Sequence, residues 1–305
     1  MDRFHLRAAM ACACFGLIIA GCSGSGSGEQ TGRISVGVSD HPMHDVAKVC
    51  IAFTEVELKP KEGPPIMSDM MGGAEIVTVN MLQFQGMNSA PLAIDLTVPA
   101  GGYQWVRLGV RADRDGNGGS TDSPMGTDCL VDDSYLVTET GEYYSLYIPS
   151  GAETGLKLFG DFIVPQGGSV DLTVEIDLMK SIAYPDGLEP DAIFRPRGRL
   201  VDNSKVGALT GTVDSGLLAS CAEPSVLVFV ADGVDATLDM SNYLTSVLLN
   251  EQDDGLGNPE YHYTIGFLLA GDYELALSCG EGTELQPIGG ASVAVGEVMT
   301  VPQIP

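Results

Sequence analysis

The sequence predicts an all-β chain built of two antiparallel β-sandwich domains, and three observations carry that prediction. First, apolar and polar residues alternate: Val170, Leu172, Val174, Ile176 and Leu178 interleave with Asp171, Thr173, Glu175 and Asp177, the period of a half-buried strand. Second, Gly and Pro punctuate at short intervals, at Pro64-Pro65, Gly72-Gly73, Pro99 to Gly102, Gly116 to Gly119 and Gly167-Gly168. Short strands separated by turn signals indicate a sandwich or barrel. Third, helical periodicity nowhere exceeds about three turns, and the best helical stretch, Asn80 to Gln85, is short.

Taken in order, the chain begins with Arg3 and Arg7 around an apolar run from Leu6 to Ala20 that ends Leu17-Ile18-Ile19-Ala20-Gly21-Cys22. A basic start, a short apolar run and small residues at the end make a secretory signal. The run falls short of the ~20 apolar residues of a transmembrane helix. A Cys directly after Ala-Gly is how bacterial lipoprotein signals look, so residues 1–21 are expected to be removed and Cys22 to carry the acyl chains. Ser23 to Gly32 reads SGSGSGEQTG, a flexible tether completing a segment 22–32. Ser rather than Asp after Cys22 favours the outer membrane of a Gram-negative envelope.

Strands then follow one another. Val49, Ile51 and Phe53 hold one parity and Val56 and Leu58 the other, so a bulge is expected near Thr54-Glu55. Val106, Leu108 and Val110 alternate with Trp105, Arg107 and Gly109. Arg195, Arg197 and Arg199 have period two within the predicted strand Ala192–Val201, which places them on one side, expected to pair with acids such as Glu175 or Asp177, an anion or carboxylate contact site being the alternative. The polar run DNSK before Gly207 marks a boundary, giving domains at 33–203 and 207–305. The second domain restarts at Gly207–Val213, with further strands expected at Ser225–Ala231, Tyr261–Leu269, Asp272–Ser278 and Ala291–Thr300. About 100 residues is the size of one small sandwich.

The first domain resembles a bacterial domain of unknown function, number 4382. Its opening strand Gly32 to Asp40 runs into His41-Pro42, and the long strand Val46 to Leu58 follows. Val98-Pro99-Ala100-Gly101-Gly102-Tyr103 resembles the family's Pro-x-Gly-x-Tyr turn. Ile148-Pro149-Ser150-Gly151 with Gly155-Leu156-Lys157-Leu158, and Asp177 to Ser181 with Arg195-Pro196, complete the likeness. It implies a β-sandwich on the cell envelope and no established activity. The second domain resembles transthyretin-like or carboxypeptidase-regulatory-like sandwiches through Gly211-Thr212-Val213 and Leu268-x-x-Gly271-x-Tyr273-x-Leu275. That likeness implies a stalk, spacer or contact module, with the Tyr packed on the core.

Composition bounds the partners. The formal net charge is −26, and such a surface repels nucleic acid, whose binding needs Lys and Arg on phosphates. Removing the signal takes Cys12 and Cys14 with it, and Cys22 is the anchor. Cys50, Cys129, Cys221 and Cys279 remain, two per domain, so Cys50–Cys129 and Cys221–Cys279 disulfides are expected in an oxidising compartment.

The sharpest local motif is Asp113-Arg114-Asp115-Gly116-Asn117-Gly118-Gly119-Ser120-Thr121-Asp122. Asp113, Asp115, Asn117 and Gly118 fit the opening of a calcium loop, and Gly119 and Asp122 extend the candidate set. Alternate oxygens converge on one hard cation while glycine permits the turn. Pro124 stands where the bidentate Glu belongs, so a solvated turn is the competing reading. Gln252 to Asn258 is a poorer echo. Asp40-His41-Pro42-Met43-His44-Asp45 gathers possible transition-metal ligands, though a surface turn explains it better. Trp105 is expected in the core or between domains. No G-x-S-x-G or H-E-x-x-H occurs, Ser150 has no His near it in sequence, and the forty acidic residues left once Asp2 goes with the signal guarantee many chance carboxylate pairs. The chain is therefore expected to be a noncatalytic, lipid-anchored envelope module. Its partners would be the membrane, through the lipid, and an envelope protein or glycan. A calcium-dependent adhesion or glycan-contact module and an envelope hydrolase are the alternatives.

Overall fold

The computed structural model describes residues 30–302, apart from 42, 113–125, 127, 131, 150–154, 185–190, 232–237, 254, 256 and 281. Cys22, Ser150 and the candidate calcium residues Asp113, Asp115, Asn117, Gly119 and Asp122 lie outside the described residues.

The first part of the chain holds β1 (Thr31–His41), β2 (Val46–Pro60), β3 (Ile66–Ser68), β4 (Val77–Asn80), β5 (Ala90–Pro99), β6 (Gly101–Arg111), β7 (Tyr135–Thr138), β8 (Tyr143–Tyr147), β9 (Leu156–Val164), β10 (Ser169–Asp177), the one-turn helix α1 (Leu178–Ser181), β11 (Ile182–Ala183), β12 (Asp191–Phe194) and β13 (Gly198–Asp202). The second holds β14 (Val206–Val213), α2 (Ser215–Leu218), β15 (Ser225–Val230), β16 (Thr245–Leu248), β17 (Asn250–Asp253), β18 (Pro259–Leu269), β19 (Gly271–Ser278), β20 (Gln286–Val293) and β21 (Val298–Thr300).

Four sheets result. In the first sandwich, β13-β10-β1-β5 faces a nine-stranded sheet ordered β11-β12-β8-β7-β2-β6-β9, with β3 and β4 also on β2. In the second, β17-β18-β14-β21 faces β16-β15-β19-β20. Pairing is antiparallel except for β1–β10, β8–β12 and β14–β21, which are parallel. Alternation puts Ile34, Val36 and Val38 of β1 and Val170, Leu172 and Val174 of β10 into one core with Ile51, Phe53, Leu58, Leu108 and Phe162. Leu209, Val226, Val228, Ile265, Leu275 and Leu277 form the second. The β2–β6 register shifts between Phe53 and Glu55, where the sequence changes parity. That bulge lets Phe53 and Val56 both face inward.

The second sandwich repeats the core of the first. In both, the opening strand pairs antiparallel with a strand that arches, across a Gly-x-Tyr turn, into the opposite sheet: β1–β5–β6 and β14–β18–β19. Tyr103 donates its hydroxyl proton to Pro99 O at 2.8 Å, and Tyr273 does so to Leu269 O at 2.8 Å. The partner after the arch also keeps its register, Gly101 opposite Val164 and Gly271 opposite Val293. The chain then turns at Pro165–Gly168 and at Ala294–Glu297 and returns parallel to the opening strand, with Ile34 opposite Val170 and Leu209 opposite Met299. The opening strand passes hard against each turn: a Cβ at Gly32 would lie 2.3 Å from Pro165 O, and one at Gly207 would lie 2.2 Å from Ala294 O.

Four expectations need correction. Residues 291–300 do not form one strand, because the turn at Ala294–Glu297 sends β20 and β21 into different sheets. The strand expected over 192–201 breaks around Pro196, which lacks the N–H a central strand needs, so β12 and β13 also join different sheets. Arg195 and Arg197 fall in the break and are exposed, and only Arg199 meets Glu175, its register partner. The helical stretch is a single 3-10 turn, Met81–Gln83, capped by the Asn80 side chain. Trp105, on the face of β6 opposite Val106 and Leu108, is nonetheless buried, with the Lys157 ammonium 3.9 Å from its ring centroid.

Candidate functional site

The two sandwiches meet where β1, β10 and α1 face β16 and β18. The segment leading to β5 packs against β18 so closely that a Cβ at Gly266 would lie 2.3 Å from Gly86 O. Beside this contact is a buried polar cluster. Asp40 and His41 end β1, Glu175 and Asp177 end β10, and Thr245 opens β16; all are 5% exposed or less. His41 Nε2 lies 2.6 Å from Glu175 Oε1 and 2.5 Å from Thr245 Oγ1. The Arg199 guanidinium reaches 2.5 Å from Glu175 Oε2, a charge contact without hydrogen-bond alignment, since neither atom has a hydrogen-bond partner. Lys180 is 3.2 Å from Asp177 Oδ2 and donates to Tyr243 O at 2.9 Å. So Asp40 and His41 belong to an internal junction, not to a surface turn.

Hydroxyl, imidazole and carboxylate meet here, but not as a nucleophilic relay. A relay needs the hydroxyl on one ring nitrogen and the acid on the other. Here Thr245 and Glu175 both meet Nε2, while Nδ1 is buried without a partner. The arrangement joins sandwiches. Both Asp40 oxygens are buried without a hydrogen bond, and burial first, then Asp177 and Glu175, raises its carboxyl pKa well above the ordinary range. A void of about 10 Å³ adjoins Asp40, Glu175 and Ser246.

On the other side of α1 opens a cleft of about 800 Å³ with walls from both sandwiches. The β1–β2 connection supplies Met43, His44 and Asp45; α1 supplies Met179 and Lys180; Tyr184 follows β11. From the second sandwich come Glu223, Met240, Tyr243 and the turn after β19 with Gly280 and Thr283. The Cys221–Cys279 disulfide ties the base of that turn to the segment carrying Glu223. Burial lowers the His44 pKa against the pull of Glu223, Asp45 and Glu139, and its buried Nε2 has no hydrogen-bond partner. The Tyr184 hydroxyl is pushed up to about 12 by burial, Tyr144 and Asp45. Among the described residues, no group of three or more His, Cys, Asp or Glu is placed to hold a metal ion.

The sequence candidates thus separate. Cys50 bonds Cys129 in the first sandwich and Cys221 bonds Cys279 in the second. Asp40 and His41 join the buried cluster while Met43, His44 and Asp45 turn to the cleft. Sequence reasoning missed Glu175, Asp177, Lys180, Thr245 and Tyr243 as a group. Glu175 and Asp177 stand on the polar parity of β10, opposite the core-facing Val174 and Ile176, and nothing local marks that end of the strand as buried.

Residues 31–196 match the family described as a domain of unknown function, DUF4382. The chain belongs to that family. The DUF4382 match covers β1 to β12 and ends short of the second sandwich. Among curated proteins, none matches the sequence. Solved structures similar to this DUF4382 chain include the Bacillus anthracis TIE protein, at 10% identity and TM-score 0.20, covering 88% of this chain and 33% of that one. This chain thus spans about a third of that protein. A minor pilin of Streptococcus agalactiae aligns at 10% identity and TM-score 0.17, covering 89% and 96%. The fimbrial anchor protein Mfa2 of Porphyromonas gingivalis aligns at 12% and TM-score 0.19, covering 85% and 82%. Scores this low lend nothing to fold or function; the β architecture rests on the sheets themselves. No helix among the described residues is long and apolar enough to cross a membrane.

Proposed function

We propose that this protein is a noncatalytic binding module of the cell envelope, held to the membrane through Cys22 and engaging its ligand in the cleft between the two sandwiches. The observation that carries the reading is the cleft itself. Ligand sites occur preferentially at domain interfaces, at volumes of about 300–1,000 Å³, with apolar walls and a few convergent polar groups. At about 800 Å³, with Met43, Met179, Met240, Tyr184 and Tyr243 beside His44, Asp45 and Glu223, this cleft has that character. The nearby His41–Thr245–Glu175 set is buried and wrongly connected for nucleophilic catalysis, which favours binding over turnover. The late Gly-x-Tyr turn of the second sandwich fits the transthyretin-like contact module its sequence resembles.

Methionine methyl NMR tests the reading. Small molecules and envelope glycans would be screened against protein labelled with ¹³C at the methionine ε-methyls. A ligand in the cleft moves Met43, Met179 and Met240 together and leaves Met81, buried in the first core, unmoved. A broad screen in which nothing moves those three signals sinks the proposal. Anchoring is tested separately: Cys22→Ser is expected to release the protein from the membrane fraction and abolish labelling by a radioactive fatty acid. Calcium enters only as a second arm, in which Asp113→Ala/Asp115→Ala would remove any calcium-dependent gain in thermal stability.

A further inference from the structure

We infer that the cleft between the sandwiches takes a small organic cation, an ammonium or guanidinium group on an apolar body; this deepens the binding role proposed above and rests on it. Three features of the lining point the same way. Asp45 and Glu223 both border the cleft, and Glu139 adds its field at His44. Lys180, the ammonium on the lining, is already committed: Asp177 Oδ2 lies at 3.2 Å, Tyr243 O accepts from it at 2.9 Å, and the Tyr243 ring centroid lies 3.2 Å away. An anion entering would find the lining ammonium of Lys180 already paired and two carboxylates opposing it.

The apolar part of the lining suits the same guest. Thioethers are polarizable and adapt to irregular shapes, and aromatic faces attract cations through their quadrupole. Met43, Met179 and Met240 supply the first; Tyr184, about half exposed (47%), supplies the second. His44 adds a buried ring nitrogen free to accept a proton donor. Burial lowers the pKa of this imidazole, which disfavours a competing positive charge on the ring. The chain's charge of −26 also concentrates cations near its surface.

The test titrates benzyltrimethylammonium into the purified, methyl-labelled chain, with benzyl alcohol and phenylacetate as neutral and anionic comparisons. The cation is expected to move the Met43, Met179 and Met240 methyls at concentrations where the other two do not. Its affinity should fall about three- to tenfold in Glu223→Gln, the size of one partly screened charge contact, and fall again with added salt. Asp45→Asn is the second variant should Glu223→Gln disturb the fold. Equal binding of the neutral or anionic compound, or an affinity indifferent to both variants and to salt, overturns the inference while leaving the cleft a binding site. If none of the three probes moves those methyls but another compound does, the cation inference alone falls. If nothing of any charge does, the binding role falls with it.

Discussion

At Asp40 two carboxyl oxygens are buried beside Glu175 and Asp177 with no hydrogen-bond donor. Burial is the main reason its pKa is raised. A folded-state pKa above the unfolded one contributes stability that is complete below the unfolded value and lost as pH rises through the folded value. The groups around Asp40 are His41 on its own strand, Glu175 and Asp177 on β10, Lys180 on α1, Arg199 on β13 and Thr245 on β16. Thermal stability of the wild type should therefore fall as pH rises above the ordinary carboxylate range, and Asp40→Asn should flatten that slope. An unchanged slope in the variant assigns the effect elsewhere. The two arch tyrosines give a matched prediction. Tyr103→Phe and Tyr273→Phe each remove one hydroxyl bond to a carbonyl four residues back, and each should cost about 1 kcal/mol in urea unfolding. A cost at one and none at the other would show that the two arches differ in energy despite their common geometry.

At the scale of elements, what the sequence disclosed followed from local rules. The β2 bulge was legible because two parities meet at Thr54-Glu55, and burial of both Phe53 and Val56 permits no other register. The strand from 170 to 178 was legible because it alternates without interruption. The break at Pro196 and the turn at Ala294–Glu297 were not, because each lies inside a run that alternates acceptably, and the change of sheet depends on tertiary packing. The repeat of one sandwich in the other was hidden for a similar reason. Few residues carry it, chiefly Gly32 and Gly207, the two Gly-x-Tyr turns, and Gly167 and Gly296 at φ 67° and 74°. Gly32→Ala and Gly207→Ala should then behave alike. Each puts a methyl within 2.3 Å of a backbone carbonyl oxygen, where relief needs backbone movement costing about 1–3 kcal/mol. Urea midpoints measure it, and a neutral Gly207→Ala would mean the second turn yields freely.

For the whole molecule, the question is what makes two sandwiches one body. Neither disulfide crosses between them, since Cys50–Cys129 and Cys221–Cys279 each close a loop within one sandwich. Crossing contacts among the described residues include the Gly86–Gly266 approach, His41 on Thr245, and Lys180 and Asp177 on Tyr243. None of these was legible in the sequence: the His41–Thr245 pair spans 204 residues, and a polar strand end looks the same whether it meets water or another sheet. The buried charges cost desolvation that only close partners offset, so separating the sandwiches leaves Glu175, Asp177 and Arg199 without part of their shelter. The wild type should therefore unfold in a single calorimetric transition. Gly266→Leu forces a side chain against Gly86 and should split that transition in two, each part still lowered by reductant because each sandwich keeps its own disulfide. The same variant should lose the coordinated response of Met43 and Met179 with Met240, because the cleft exists only while both walls are held. Two transitions in the wild type would mean the junction does not couple the sandwiches. One transition in Gly266→Leu would mean the coupling resides in the polar cluster rather than in the glycine contact, and His41→Ala with Tyr243→Phe is the variant that should then divide it.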